Sequence, residues 1–543
     1  MRRWGYRSRT ACRLWGRNPC SGHGPGTAGF RPRSPTVRNG PCSTEAGSLV
    51  LWSVDGTRGA RRIRFGPIPR EALTRLHYGN IAGPGSGRVD PGDSDLFCPL
   101  EFRYGRVKTR ELFARGPRLA RALRVEAALA AAEGELGMIP RDAADTITGA
   151  ADLEHVTVEK VDELERSLRH DVMAMTRALA EAAGSAGRWV HFGATSQDIN
   201  DTALALELKE SGSILREDLT GLARALTELA KRHRATPEIG RTHGQHGVPI
   251  SFGYKAAVGA AEVVRHRQRL DELLPRLTVG KMAGAVGTGA GFGRHAVEVE
   301  SAVMRRLGLS ADEAPTQLVG RDRLAEFANW MALVASTAER LATEVRNLQR
   351  TEISEVAEPF DESRQVGSST MPQKRNPIVS ENVSSLARLV RALALPPLEN
   401  MVQWHERDLA NSANERIVIP HSIVLLDDIL VKLAEVFRGL KVNTERMAEE
   451  VARSGGTAMT ENLMLALTSK GLARSDAHEI LRNLTRDPGQ GPGLVDRAKS
   501  DPRVTRLLAP AEIEELLEPA SYVRSAAEKT DRVVARLERD LRA

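Results

Sequence analysis

Four polar clusters interrupt an otherwise apolar-periodic chain, and each carries side chains able to do chemistry. Residues 366–377 read Val-Gly-Ser-Ser-Thr-Met-Pro-Gln-Lys-Arg-Asn-Pro. Hydroxyls and cations side by side in a stretch punctuated by Gly and Pro suit an anionic substrate, and such loops often carry function. Residues 240–249, Gly-Arg-Thr-His-Gly-Gln-His-Gly-Val-Pro, place His243 and His246 three apart. That spacing can hold a metal, but no third ligand of metal type stands nearby. General acid–base work by a His titrating near neutrality is the better reading. Residues 191–201, His-Phe-Gly-Ala-Thr-Ser-Gln-Asp-Ile-Asn-Asp, put Thr195 and Ser196 at the start of an apolar helix. A hydroxyl there either caps the helix or, with the free N–H groups, holds a carboxylate or phosphate. Residues 404–408, Trp-His-Glu-Arg-Asp, and 411–416, Asn-Ser-Ala-Asn-Glu-Arg, add Arg407 and Arg416. Their forked donors suit carboxylate and phosphate; alone they would be solvated surface, but beside three other clusters they read as an anion pocket. The Gly-rich stretch 280–293 follows a helical pattern and not a strand, which weakens a dinucleotide reading.

The elements that must position these clusters are helical. Leu324, Phe327, Met331, Val334, Ala338, Leu341, Val345 and Leu348 recur at alternating spacings of three and four, a sustained heptad seam. Leu215, Leu219, Leu222, Leu226 and Leu229 repeat it. Long helices with such seams pack side by side as a bundle, and a seam on more than one face points to burial between subunits as well as within one. The low aromatic content, 4%, agrees with a helical composition. No apolar run reaches about 18 residues, so no membrane-spanning helix is expected.

The net charge of +7 is misleading as an average. Residues 1–95 hold 16 Arg, no Lys and 6 acids, so residues 96–543 carry three more acids than bases. A nucleic-acid reading would rest on the first segment alone. That segment is rich in Gly, Pro, Arg and Ser without apolar period, and is expected to be disordered or a start-site artefact, with a targeting peptide as the third reading. All four cysteines, Cys12, Cys20, Cys42 and Cys98, lie in the first 98 residues, so the main body has neither an internal disulfide nor a Cys metal site.

Residues 367–377 resemble the defining loop of the fumarase/aspartase superfamily, Gly-Ser-Ser-x-Met-Pro-x-Lys-x-Asn-Pro. Within it the chain resembles the adenylosuccinate lyase family. The supporting pieces are Phe-Arg-Tyr-Gly at 102–105, Arg-His-Asp at 169–171, His-Phe-Gly-Ala-Thr-Ser at 191–196, Arg-Thr-His-Gly at 241–244, Trp-His-Glu-Arg-Asp at 404–408 and Ser-Ala-Asn-Glu-Arg at 412–416. They occur in the family's order and at similar spacings. The likeness begins near Leu100, is looser after Val451, and leaves residues 1–95 unexplained.

The resemblance implies a mainly α, fumarase/aspartase-like three-domain fold with a central long-helix bundle, twenty helices in a homotetramer. The expected domains are 96–213 (N-terminal helical), 214–452 (central bundle) and 453–543 (C-terminal helical). Each active site would be shared by three subunits. It implies a cytoplasmic enzyme that eliminates fumarate from adenylosuccinate, leaving AMP, and from the succinyl-aminoimidazole-carboxamide ribotide of purine synthesis. No metal or organic cofactor and no nucleic-acid or membrane partner is implied. By the same resemblance Ser368 is the base, Lys374 stabilises the carboxylate as charge builds, and Asn376 helps position it. His243 is the acid with Glu381 as its charge partner; His170 is the other candidate acid, better suited to orienting substrate with Arg169 and Asp171. Arg103 and Tyr104 bind the phosphate, assisted by Arg407, Ser412 and Arg416. Thr195 and Ser196 hold the fumaryl carboxylates, and Gln317 contacts the substrate. Gln373 and Gly320 depart from the family pattern, which commonly has His and Gln there. The rival readings are argininosuccinate lyase or a carboxymuconate cycloisomerase on the same fold, and a catalytically silent structural tetramer.

Overall fold

A computed structural model describes residues 98–486 and 493–542. The extension 1–95 lies outside the described residues. Among the described residues no helix is long and apolar enough to cross a membrane.

Both apolar seams lie on helices. Eight helices matter here: α1 (Arg115–Glu135), α2 (Asp171–Ala182), α3 (Ser196–Arg232), α4 (Phe252–Leu277), α5 (Asp322–Leu348), α6 (Ile378–Ala392), α7 (Ser412–Gly439) and α8 (Pro519–Arg542). All eight seam positions of α5, from Leu324 to Leu348, are buried, and Ala325, Ala328, Ala335 and Ala342 bury a second stripe beside them. Helix α3 has 37 residues, about 55 Å at 1.5 Å per residue. Helices α3 to α7 pack into one bundle, whose core also takes Val534, Leu537 and Leu541 of α8.

Two smaller cores flank it. One joins α1, α2, Ile199 and Leu206 of α3, and residues up to Leu307. The other runs from Met459 to Leu517. The cores share helices: α3 crosses residue 213 unbroken and feeds both the first core and the bundle.

Strands are few. β1 (Pro237–Thr242) and β2 (Gln245–Ser251) form an antiparallel hairpin between α3 and α4. The pairs β3 (Val279–Gly280) with β4 (Ser310–Ala311) and β5 (Val356–Ala357) with β6 (Lys441–Val442) are two residues each. The His243 segment reads from sequence as a break between helices. It is instead a two-residue hairpin turn, with φ of 55° at His243 and 74° at Gly244. Positive φ at both central residues marks the primed turn whose twist matches the strands it joins.

Candidate active site

The direction of each helix decides which clusters meet. Helix α4 returns antiparallel to α3 through the hairpin, so its last turn lies beside the first turns of α3; there Thr202 Oγ1 donates to the Lys281 carbonyl at 2.9 Å. Helices α5 and α7 start at that same end, because Arg321, just before α5, bonds both Asp201 of α3 and Glu415 of α7. The serine loop and the hairpin are rooted at the other end, where α5 stops and α6 begins.

The end at the start of α3 is a dense ionic frame. Arg321 donates two bonds of 2.9 Å to the two oxygens of Asp201, and two more, at 3.0 and 3.2 Å, to Glu415. Lys281 and Asp198 form an ion pair with both side chains fully buried. Asp198 also accepts the N–H groups of Thr195 at 2.8 Å, Ala283 at 2.9 Å and Gly284. One carboxylate thus fixes the first residue before α3 to the Gly-rich loop after β3. Buried charges are tolerated when each is paired and its remaining hydrogen-bond capacity is filled, as here. Arg407 donates to Gln317 Oε1 at 2.8 Å and, with the Gln197 amide turned to suit its neighbours, to Gln197 at 2.7 Å. Gln317 in turn donates to the Ala285 carbonyl at 2.8 Å. Burial lowers the Arg407 guanidinium, with Asp201 pulling the other way. Arg416 donates to Asp171 at 2.7 Å. Burial of Asp171 acts to raise its carboxyl, but the Val172 N–H and Arg416 outweigh it and hold the group below the ordinary range. A cavity of about 290 Å³ opens among these groups, lined by Asp171, Asn200, Arg321, Asn411, Ser412 and Arg416 among others. Asn411 Oδ1 of this lining, and Arg407 Nε, are buried without a hydrogen-bond partner among the described residues.

Two residues of the Arg-His-Asp segment stand outside this frame. Arg169 ends the helix Val158–Leu168 in the left-handed region, φ 54°. His170 caps α2, its Nδ1 accepting the Met173 N–H at 3.3 Å, and is about half exposed. Tyr104 packs against the middle of the bundle: Lys432 Nζ lies 5.2 Å from its ring centroid. Lys432 is twenty residues along α7 from Ser412, about 30 Å of helix. One subunit therefore does not bring Tyr104 to Ser412.

At the opposite end, Ser368 Oγ accepts the backbone N–H groups of Thr370 at 3.3 Å and Met371 at 3.1 Å. Two N–H dipoles converging on one hydroxyl oxygen favour its anionic form. The loop closes on itself: Asn376 Nδ2 donates to the Gly367 carbonyl at 3.1 Å, and a Cβ at Gly367 would overlap the Lys374 carbonyl. Gly is what lets these backbones approach. Glu358 accepts the N–H groups of Val379 at 3.1 Å and Ser380 at 2.6 Å, fixing the first turn of α6, which carries Glu381. The hairpin is anchored close by. Arg241 donates to both oxygens of the buried Glu355, at 2.8 and 2.7 Å. His246 lies 3.7 Å from Glu450. Beyond this anchor His243, Gly244 and Gln245 are exposed. Among the described residues no hydrogen bond or ion pair links His243 to Ser368, Lys374 or Glu381, and no group of three metal-binding side chains occurs.

Comparison with known proteins decides the family. The family model described as Lyase matches residues 103–392, and the one described as Adenylosuccinate lyase C-terminus matches residues 456–533, the region where the motif likeness thins. The adenylosuccinate lyase of Pyrococcus horikoshii is 44% identical over 81% of this chain and 98% of its own length. That of Methanothermobacter thermautotrophicus is 43% identical, over 80% and 98%. The chain belongs to the adenylosuccinate lyase family. As a member of the adenylosuccinate lyase family it is a carbon–nitrogen lyase, and it shares its fold with solved structures of other names. The fumarate lyase from Mesorhizobium sp. BNC1 matches with a TM-score of 0.73 and 33% identity, over 79% of this chain and 98% of that one. The 3-carboxy-cis,cis-muconate lactonizing enzyme from Pseudomonas putida matches with 0.73 and 32%, over 80% and 98%.

Lys281, Asp198, Asp201, Arg321 and Glu415 build the frame of this adenylosuccinate lyase family member, and sequence reasoning does not single them out. The one local signal is Lys281 itself, a lone cation between Gly280 and Met282 in a Gly- and Ala-rich stretch. A charge in such surroundings is buried only when paired. His191, with φ 63° and Nδ1 2.6 Å from the buried Glu126, is a second such group beside Thr195.

Proposed function

We propose that this chain eliminates fumarate from adenylosuccinate to give AMP, and from the succinyl-aminoimidazole-carboxamide ribotide. The observation that carries the reading is the pair of N–H groups aimed at Ser368 Oγ within the Gly-Ser-Ser-Thr-Met-Pro loop. A Ser hydroxyl is too weak a base unless its alkoxide is stabilised, and these donors supply that stabilisation. Ser368 takes the proton from the carbon beside the carboxylate. Charge moves into that carboxylate, where Lys374 meets it, with Asn376 holding the loop that presents both. The C–N bond then breaks. His243, polarised by Glu381, protonates the departing nitrogen. Thr195 and Ser196, at the positive end of α3, hold the carboxylates. Gln317 contacts the substrate, and His170, Arg169 and Asp171 orient it. Arg103 and Tyr104, assisted by Arg407, Ser412 and Arg416, hold the phosphate.

These groups lie at the two ends and partway along a bundle whose longest helix, α3, runs about 55 Å, so they converge only if antiparallel copies bring opposite ends together. This supports a homotetramer with a twenty-helix core and sites shared by three subunits. Leu395, Val402, Trp404 and Leu409 are each at least 60% exposed, apolar surface that such an assembly covers. The protein acts in the cytoplasm, without cofactor, nucleic acid or membrane.

The test is absorbance-monitored turnover of adenylosuccinate by the intact chain and by Ser368→Ala. AMP and fumarate from the first, with activity lost in the second, are expected. No turnover by the intact, folded chain, or turnover of argininosuccinate or carboxymuconate lactone instead, overturns the substrate. A stable monomer by light scattering overturns the assembly.

A further inference from the structure

The residue two places after Tyr104 makes four hydrogen bonds to two buried carboxylates. Gly105 has φ 80°, and a Cβ on it would overlap Val424 Cγ1 of α7. The chain therefore runs flat against α7 at the one residue type that permits it. Arg106 comes next. Its backbone N–H donates to Asp427 Oδ2 at 3.3 Å, and its Nε donates to Asp427 Oδ1 at 2.9 Å. Its Nη2 donates to the same Asp427 oxygen and, at 2.6 Å, to Asp218 Oδ1. Asp427 is on α7 and fully buried; Asp218 is on α3 and its side chain is 3% exposed. One guanidinium thus staples the segment to two helices at once, and no compact Lys ammonium could reproduce that fork. Asp218 Oδ2 has no hydrogen-bond partner among the described residues. Burial, and Asp427 beside it, push Asp218 up to about 9. Arg103 and Tyr104 immediately precede the anchored Gly105 and Arg106 in the chain. Arg103 lies 5.9 Å from the Tyr104 ring, and Lys432, itself held by Asp428 at 2.6 Å and Asn382 at 2.9 Å, sits on the same ring.

We propose that Arg106, clasped by Asp427 and Asp218, is a positioning residue that sets the pose in which Arg103 and Tyr104 meet the phosphate of the substrate. The proposal rests on the proposed phosphate role of Arg103 and Tyr104. A buried clasp that served stability alone would have no reason to discriminate between ligands. One that positions the phosphate contacts weakens only ligands that carry the phosphate.

The experiment compares product inhibition by AMP and by fumarate, with kcat and KM for adenylosuccinate, in the full-length protein and in Arg106→Lys, Asp427→Asn, Asp218→Asn and Arg103→Ala. Circular dichroism and thermal melting monitor folding. Arg106→Lys and Asp427→Asn are expected to raise KM and the AMP inhibition constant about tenfold, the weight of one charge-assisted contact. The fumarate constant and kcat should stay within about threefold. Asp218→Asn, which keeps an acceptor for Nη2, should cost less than Asp427→Asn. Arg103→Ala should show the same AMP-selective loss whatever the state of the clasp. If Arg103→Ala is AMP-selective while Arg106→Lys and Asp427→Asn are not, the clasp does not position and the phosphate reading stands. If Arg103→Ala itself leaves AMP unaffected, the phosphate reading fails. Should Arg106→Lys not fold, Asp427→Asn carries the test; equal weakening of AMP and fumarate, or a fall in kcat alone, overturns the proposal.

Discussion

The two ends of the helix bundle are built on opposite principles. At the start of α3 the charges are buried and committed: Arg321 to Asp201 and Glu415, Lys281 to Asp198. At the other end His243 and Lys374 are exposed and uncommitted. His243 sits at the tip of a hairpin whose foot is clamped by Arg241 and Glu355, and Lys374 has no ion pair among the described residues. The contrast amounts to a division of labour. The first end holds its shape without a ligand and suits recognition of a fixed anion pattern. The second presents a base, an acid and a cation that need a facing surface before they can act, as sites that close over substrate do.

The largest effect that would test this contrast is on catalysis. Ser368→Ala should lower kcat about a thousandfold or more while leaving the melting temperature within experimental error, because the loop lies outside the cores. A large drop in melting temperature would mean that the serine loop is structural. Next comes the committed end. Arg321→Met leaves Asp201 and Glu415 buried without their cation, and should cost about 3–5 kcal/mol in denaturant unfolding. A cost below about 1 kcal/mol would show that the frame is not held by this ion pair.

His243→Gln should reduce kcat about a hundredfold with little change in stability. Mixed with Ser368→Ala after mild dissociation, it should recover activity that neither variant has alone, because among the described residues nothing links His243 to Ser368 within one chain and the proposed site draws on three subunits. Mixtures that stay inactive after confirmed subunit exchange would place the acid and base of one site in one chain.

The smallest effect concerns the core behind the committed end. Glu133 is fully buried, and neither carboxyl oxygen has a partner among the described residues. Burial, with Glu126 nearby, pushes it up to about 9 from an ordinary value of 4.5. A carboxyl raised on folding stabilises most below the unfolded value, and that contribution is lost as pH rises from about 4.5 through 9. Glu133→Gln cannot ionise, so its melting temperature should gain on the native protein's progressively between pH 5 and pH 9. Parallel curves for the two proteins would show that Glu133 does not titrate in this range.

Much of this is legible in the chain. The α5 seam can be read because helical burial repeats every three or four residues, and a local period survives in sequence. The serine loop can be read because its residue types are contiguous. The hairpin under His243 cannot: its strands are short, and the turn depends on positive φ at His243, which a non-Gly residue does not announce. The ionic frame is invisible for another reason. Arg321 and Asp201 are 120 residues apart, and Lys281 and Asp198 are 83 apart, so nothing local marks them as partners.

The order of residues alone thus specifies the helices, their buried faces and the composition of the chemical loop, since each depends on neighbours within a few residues. Folding in three dimensions settles that α3 runs about 55 Å without a break and so separates Thr195 from His243 and Ser368. It also settles which charges are buried in pairs and which stay free, because a charge's partner and its distance from water are set by how helices cross, and not by the residues beside it in the chain.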